Sequence, residues 1–253
     1  MMSECESLIV SVVSYINSYP FIYGLKKWKG SIPIVLQIDQ PSVCAQKLID
    51  GKADVGLVPV AVLPEISNGK IISDYCIGAD GPVTSVLLVS MVPLNEIETI
   101  LLDYQSRTSV MLTKILAKKF WNIEVEWEAT QPNYEQQISG TKAGVIIGDR
   151  ALLMRNQFPY VYDLSDEWKK MTGLPFVFAV WVGPKNVSQA FLTDFNLALK
   201  EGFDNLDKVI QETENTTLNL SDITDYLKVR IDYRFDVKKQ EAMTLFLTLM
   251  KEV

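Results

Sequence analysis

The sequence predicts an α/β fold of two lobes closed around a cleft. Short β-rich apolar runs alternate with amphipathic helical stretches, 48% of the 253 residues are hydrophobic, and two long β-favouring runs bracket a central block from 92 to 175. The alternation argues for parallel sheets covered by helices, and the apolar content is enough for a sizeable core.

Taken in order, strands are expected at 8–13, 33–38, 53–58, 83–89, 100–102, 123–127 and 145–147. Beyond the first strand, Pro20 stands where a first helical residue is tolerated. Asn17 and Ser18 precede it as caps, so a helix runs to about residue 28 and Asn17 lies past the strand's carboxyl end. The strand at 100–102 leads through Asp103 into Tyr104-Gln-Ser-Arg-Thr-Ser109 and a periodic run from 110 to 120, with Ser106 and Thr108 at the first turn of a helix. The remainder reads as helices over 187–212, 220–228 and 237–251, with a turn at 214–217. Neither a repeat nor a Pro/Gly/Ser-rich linker separates domains, so strands at 83–91 and 176–182 are expected to cross between lobes. Residues 1–91 plus 183–253 then form one lobe, and 92–182 form an inserted second lobe.

Composition removes several function classes. Acidic residues outnumber basic ones 31 to 24, so no broad positive field exists for a nucleic acid or an anionic membrane, and an anionic ligand must be held locally. The chain has no histidine, which excludes imidazole-based triads and histidine metal sites. Cys5, Cys44 and Cys76 are too widely spaced for a disulfide framework or a zinc site and read as plain thiols; no metal is expected. The apolar run at 8–13 is too short to span a bilayer and follows Glu4 and Glu6 rather than a basic leader, which points to the cytoplasm. No glycine-rich dinucleotide fingerprint, phosphate loop or nucleophile elbow occurs.

Three segments offer chemistry. At Ser106-Arg107-Thr108-Ser109, unpaired backbone N–H groups of a helix start stand with hydroxyls and a guanidinium, a combination suited to a carboxylate. The structural alternative is that Ser106 or Thr108 only caps the helix and Arg107 points into water. Thr84 and Ser85 place two hydroxyls after a Gly-Pro turn, and Gly148-Asp149 ends a buried strand where a ligand can come close. Asp149 serves equally well as a cap. The aromatic concentration of Trp168, Phe176, Phe178 and Trp181 reads as core.

Six blocks taken together resemble the chorismate dehydratase family of the futalosine route to menaquinone. They are SYINSYPFIYGL at 14–25, ADVGLVPVAVLPE at 53–65, ADGPVTSVLLVS at 79–90, LLDYQSRTSVMLTKIL at 101–116, AGVIIGDRAL at 143–152 and EWKKMTGLPFVFAVW at 167–181. The resemblance implies the type II periplasmic-binding-protein-like fold, two α/β lobes with an interlobe cleft, in agreement with the periodicity. It further implies a cofactor-free carbon–oxygen lyase that removes water from chorismate to give 3-[(1-carboxyvinyl)oxy]benzoate.

Two substrate carboxylates then require two anion-binding features, expected on opposite lobes at Ser106–Ser109 and Thr84-Ser85. Asn17 and Ser85 are the implied catalytic donors. Ser14, Tyr15, Thr84, Ser106, Arg107, Thr108, Ser109, Gly148 and Asp149 are the implied substrate-binding residues. With no histidine present, the base is left to a carboxylate, a water or the substrate's own enolpyruvyl carboxylate; the last is favoured, with Asp149 the alternative on the protein. Two rivals are 1,4-dihydroxy-6-naphthoate synthase of the same pathway, whose chemistry relies on a histidine, and a non-catalytic small-anion-binding protein. The residues leave open whether two copies pair as a homodimer.

Overall fold

The computed structural model describes residues 7–213 and 217–253. Within them the strands are β1 (Leu8–Val13), β2 (Ile34–Asp39), β3 (Val55–Pro59), β4 (Gly69–Ala79), β5 (Val86–Ser90), β6 (Thr99–Leu102), β7 (Glu126–Ala129), β8 (Lys142–Ile147), β9 (Tyr160–Asp163), β10 (Phe176–Pro184) and β11 (Asp232–Arg234). The helices are α1 (Tyr19–Lys26), α2 (Pro41–Ile49), α3 (Arg107–Leu116), α4 (Gly148–Met154), α5 (Leu164–Thr172), α6 (Gln189–Asp204), α7 (Leu206–Gln211), α8 (Leu220–Asp225) and α9 (Val237–Leu249).

Two sheets result. One has six strands in the order β11-β4-β10-β3-β1-β2, and the other five in the order β7-β6-β8-β5-β9. Both are mixed, which corrects the expectation of parallel sheets: β1 is parallel to β2 and β3, and β6 to β7 and β8. By contrast β10 runs antiparallel to β3 and β4, and β5 to β8 and β9. The passages between sheets also differ from expectation. β5 lies wholly in the five-stranded sheet and β10 wholly in the six-stranded one, so the chain crosses in the short segments 80–85 and 173–175 instead of along those strands. By sheet membership β5 goes with the inserted block and β10 with the first lobe, which moves the division away from 91/92 and 182/183.

Each element follows from local chemistry. In β1, Val10, Val12 and Val13 are buried, and the one buried polar side chain, Ser11, donates to Asp39 Oδ2 at 2.7 Å, so no hydroxyl is left unsatisfied. Helix α1 begins with Pro at its start, after a 3₁₀ turn at Ile16–Ser18, and is fixed by contact with α6 at two glycines. A Cβ on Gly24 would stand 1.7 Å from the Ala198 carbonyl oxygen, and one on Gly202 would stand 1.8 Å from that of Pro20. The two helices therefore meet backbone to backbone, and the loop carrying Asn17 is anchored by that contact.

A large apolar core runs through both lobes, and a smaller one, with Leu87, Leu101 and Ile146, lies within the second. Trp168, Phe176 and Trp181 are core as expected, whereas Phe178 also reaches the cleft described below. Cys44 and Cys76 are buried free thiols. Burial pushes the Cys44 thiol up to about 11 and the Cys76 thiol higher still, so both pack as small apolar groups. Cys5, most of the 214–217 turn, and the Glu4 and Glu6 flank lie outside the described residues. No helix among those described is long and apolar enough to cross a membrane.

Candidate active site at the interlobe cleft

The carboxyl ends of the parallel strands of both sheets face one another, the arrangement in which α/β proteins bind ligands. Between them lies a cleft of about 590 Å³, mouth included. From the first lobe it is lined by Tyr15, Asn17 and Ser18 after β1, and by Phe178 and Ala179 of β10; from the second by Ser85, Ser106, Ser109 and Gly148. Apolar side chains such as Leu57, Ile77 and Ile147 complete the wall, and neither lysine nor arginine is among the lining residues. The polar lining is one amide, backbone and hydroxyls, a set that can hold a carboxylate by hydrogen bonds without a formal counter-charge.

The structure brings Asn17 and Ser85 together through a residue the sequence reading missed. Asn17 Nδ2 donates to the Tyr226 hydroxyl at 3.1 Å, and that hydroxyl donates to Ser85 Oγ at 2.8 Å. Ser18 Oγ donates to Asn17 Oδ1 at 3.2 Å, and the Tyr233 hydroxyl to the Asn17 carbonyl at 3.1 Å. Both tyrosines are buried, and burial raises both phenols well above their ordinary range. They are therefore neutral hydrogen-bonding groups.

Ser85 is set by a strained turn. Thr84 has φ of 63°, a conformation unfavourable for a β-branched residue. Its N–H donates to Asp163 Oδ2 at 2.6 Å, and the other oxygen of that carboxylate caps α5 through the N–H groups of Ser165 and Asp166. The Ser85 carbonyl accepts from Gly148 N at 2.7 Å. Gly148 itself has φ of 63°, and a Cβ there would lie 3.0 Å from the Tyr15 ring. Thr84-Ser85 and Ser106–Ser109 consequently both stand on the five-stranded lobe, which corrects their expected placement on opposite lobes: each flanks a strand end of the same sheet.

The remaining expected residues are distributed as follows. Ser106 caps α3, accepting from Ser109 N at 3.1 Å and donating from Oγ to Ser109 Oγ at 2.7 Å. Arg107 is absent from the cleft wall and pairs with Glu65, Nη1 to Oε2 at 3.0 Å and Nη2 to Oε1, across the lobes. Thr108 is buried, accepting from Ala61 N and donating to the Phe178 carbonyl, each at 3.2 Å. Both side chains are thus spent on holding the lobes. Ser14 is exposed outside the wall, and the Thr84 hydroxyl turns back to the Val83 carbonyl at 2.7 Å. Asp149 sits behind the wall, where Ile16 N approaches its Oδ1 at 3.4 Å, and burial pushes its carboxyl up to about 6.

Tyr15 continues into a second network. Its hydroxyl donates to Gln105 Oε1 at 2.7 Å, which also accepts from Arg150 Nη2 at 2.9 Å, and Arg150 pairs with Asp103 at 2.6 Å and with Glu135. Burial holds the Asp103 carboxyl above its ordinary range, with the Arg150 charge pulling the other way. Gln105 and Arg150 adjoin residues the sequence picked out, but nothing in periodicity or spacing marked them. Tyr226 had no signal at all, since it lies in the helical third where no motif was found. Among the described residues no group of three or more His, Cys, Asp or Glu is placed to hold a metal ion.

Comparison with known proteins agrees with this architecture. An Archaeoglobus fulgidus protein of known crystal structure superposes with a TM-score of 0.80 at 12% identity, over 99% of this chain and 98% of that one. The periplasmic aliphatic sulphonate binding protein of Escherichia coli superposes with a TM-score of 0.64 at 14% identity, over 98% and 92%. The fold is therefore that of periplasmic binding proteins. In sequence, the chain is 27% identical over 195 residues to the chorismate dehydratase of Thermus thermophilus, covering 64% of this chain and 69% of that protein. A family model described as menaquinone biosynthesis matches residues 8–252, nearly the whole length, and the chain belongs to that family.

Proposed function

We propose that the protein is a chorismate dehydratase, a hydro-lyase that converts chorismate to 3-[(1-carboxyvinyl)oxy]benzoate and water for menaquinone synthesis in the cytoplasm. The observation that carries this reading is the pairing of Asn17 and Ser85 at one cleft, on one hydrogen-bonded line, in a menaquinone-biosynthesis chain similar to a chorismate dehydratase. The histidine-dependent naphthoate synthase reading loses to the absence of histidine.

The elimination breaks the C–H bond at the ring carbon bearing the enolpyruvyl ether and the C–O bond of the neighbouring hydroxyl. Electrons from the first bond delocalise through the adjacent double bond toward the ring carboxylate, then form the new ring double bond as hydroxide leaves. The proton passes to a base, and a proton returns to the hydroxide, so the sum is loss of one water with no change of redox state. Donors fixed on the ring carboxylate stabilise the developing anion, and this is the part given to Ser85 with the Ser109 hydroxyl, which keeps its own proton because Ser106 donates to it. Asn17 orients the departing hydroxyl or the ether oxygen. The base is the enolpyruvyl carboxylate of the substrate, consistent with the lack of a carboxylate side chain in the cleft wall.

Purified protein incubated with chorismate is expected to yield a product lighter by one water, followed by chromatography with mass detection. Asn17→Ala is expected to lower kcat by about 100-fold with KM changed less than about threefold, as for a group acting in the transition state. Chorismate bound but unchanged would replace this reading with a non-catalytic anion-binding one, and neither binding nor turnover would remove chorismate as the ligand.

A further inference from the structure

Tyr226 opens a single π-helical turn, Tyr226–Arg230, immediately after α8. Such turns are rare and occur often at functional sites. The Tyr226 ring is 1% exposed and forms no part of the cleft wall, yet its hydroxyl lies between two groups that do. The line runs in one direction: the phenol gives its one proton to Ser85 Oγ, and its oxygen accepts from Asn17 Nδ2, whose Oδ1 turns toward Ser18. Ser85, having accepted, keeps its own O–H to donate, and Asn17 keeps its second N–H. Both groups enter the cleft as donors, the polarity that a developing carboxylate anion and a departing hydroxide require. Without the phenol, the Ser85 hydroxyl could turn its proton toward Asn17 and the amide could flip, so the site would lose its donor polarity without losing its shape.

We propose that Tyr226 is a positioning residue for the reaction, holding Asn17 and Ser85 as outward-facing donors from behind the cleft wall. The proposal rests on the reading of Asn17 and Ser85 as the catalytic donors.

The test compares wild type, Tyr226→Phe, Ser85→Ala and the double variant in steady-state and single-turnover assays with chorismate, each checked for its thermal midpoint. Tyr226→Phe is expected to lower kcat by about tenfold or more with KM within about threefold, whereas in the Ser85→Ala background, where only its hold on Asn17 is left to lose, the same change costs clearly less. An unchanged kcat, a loss confined to KM, or an equal kcat loss in both backgrounds overturns the proposal, since a merely structural residue does not act through Ser85. If Tyr226→Phe does not fold, 3-fluorotyrosine at 226 keeps the ring and hydroxyl while acidifying the phenol. A shifted kcat at constant KM then supports the role, and no shift overturns it. Wild type without turnover removes the reaction itself, and with it this role. Normal wild-type turnover with an unaffected variant removes only Tyr226.

Discussion

Asp149 is a carboxyl held in the wrong solvent. It is mostly buried behind the cleft, its only hydrogen bond among the described residues is a long one from Ile16 N, and burial pushes it up to about 6. A group that binds its proton more tightly folded than unfolded contributes stability that is fully present below its unfolded value near pH 4 and is lost as pH rises through about 6. Asp149→Asn keeps an acceptor for Ile16 N without the charge. It is therefore expected to be more stable than wild type above pH 6, by on the order of 1–2 kcal/mol, with the difference vanishing below pH 4; urea unfolding from pH 4 to 8 measures it. An opposite sign would mean that the carboxylate is stabilised by a partner in the wall. At this scale the sequence marks the residues whose backbone context is local. Ser106 is legible as a cap because a cap is a property of one helix start, whereas Asn17 and Ser18, expected as caps before Pro20, make no side-chain cap bond, and the Asn17 amide turns to Tyr226 instead. The sequence does not mark Tyr226, whose partners lie 209 and 141 residues away.

At the scale of elements, the contact between α1 and α6 decides where the Asn17 loop stands. Gly202→Ala would put a Cβ 1.8 Å from the Pro20 carbonyl oxygen, with backbone on both sides and no flexible side chain to yield. The helices must separate, and the cost is expected to be about 2–4 kcal/mol, in the range of severe overpacking. Thermal unfolding should show it, and a midpoint within about 2 °C of wild type would mean that the helices slide apart without loss. Element positions were legible wherever periodicity was uninterrupted: β1 lies at the predicted residues, and β2, β3, β6 and β8 within a few of them. β4 was not legible, because Ser73 and Asp74 interrupt its apolar run, Gly69 and Gly78 lie near its ends, and its pairing with β10 shifts register along the way. β9 and β11 lack a buried apolar run, β9 being Tyr-Val-Tyr-Asp with no fully buried residue and β11 Asp-Tyr-Arg, whereas the equally short β6 is Thr-Ile-Leu-Leu with its centre buried. The mixed sheets were hidden for a different reason: strand direction is set by connections, and short crossings such as 173–175 leave no compositional mark.

For the whole molecule, the question is what holds one lobe against the other. Two contacts from the start of α3 reach the first lobe, the exposed Arg107–Glu65 pair and the buried Thr108 bridge from Ala61 N to the Phe178 carbonyl. Their weights differ. An exposed ion pair is worth about 0–1 kcal/mol, whereas Thr108→Val strands a buried N–H and a buried carbonyl at about 1–3 kcal/mol. Arg107→Ala is thus expected to leave the thermal midpoint within about 2 °C and KM for chorismate within about threefold, while Thr108→Val lowers the midpoint by clearly more. The contrast also decides between two uses of a guanidinium at a helix start. An arginine that binds a substrate carboxylate contributes charge-assisted bonds, and its loss would raise KM by about tenfold or more at unchanged stability. That outcome would require Arg107 to leave Glu65 when substrate enters, so that lobe contact and substrate binding compete for one side chain. In the structure Glu65 already occupies the Nη1–Nη2 edge of the guanidinium, and a cleft wall with neither lysine nor arginine among the described residues is built to bind its anion without that exchange.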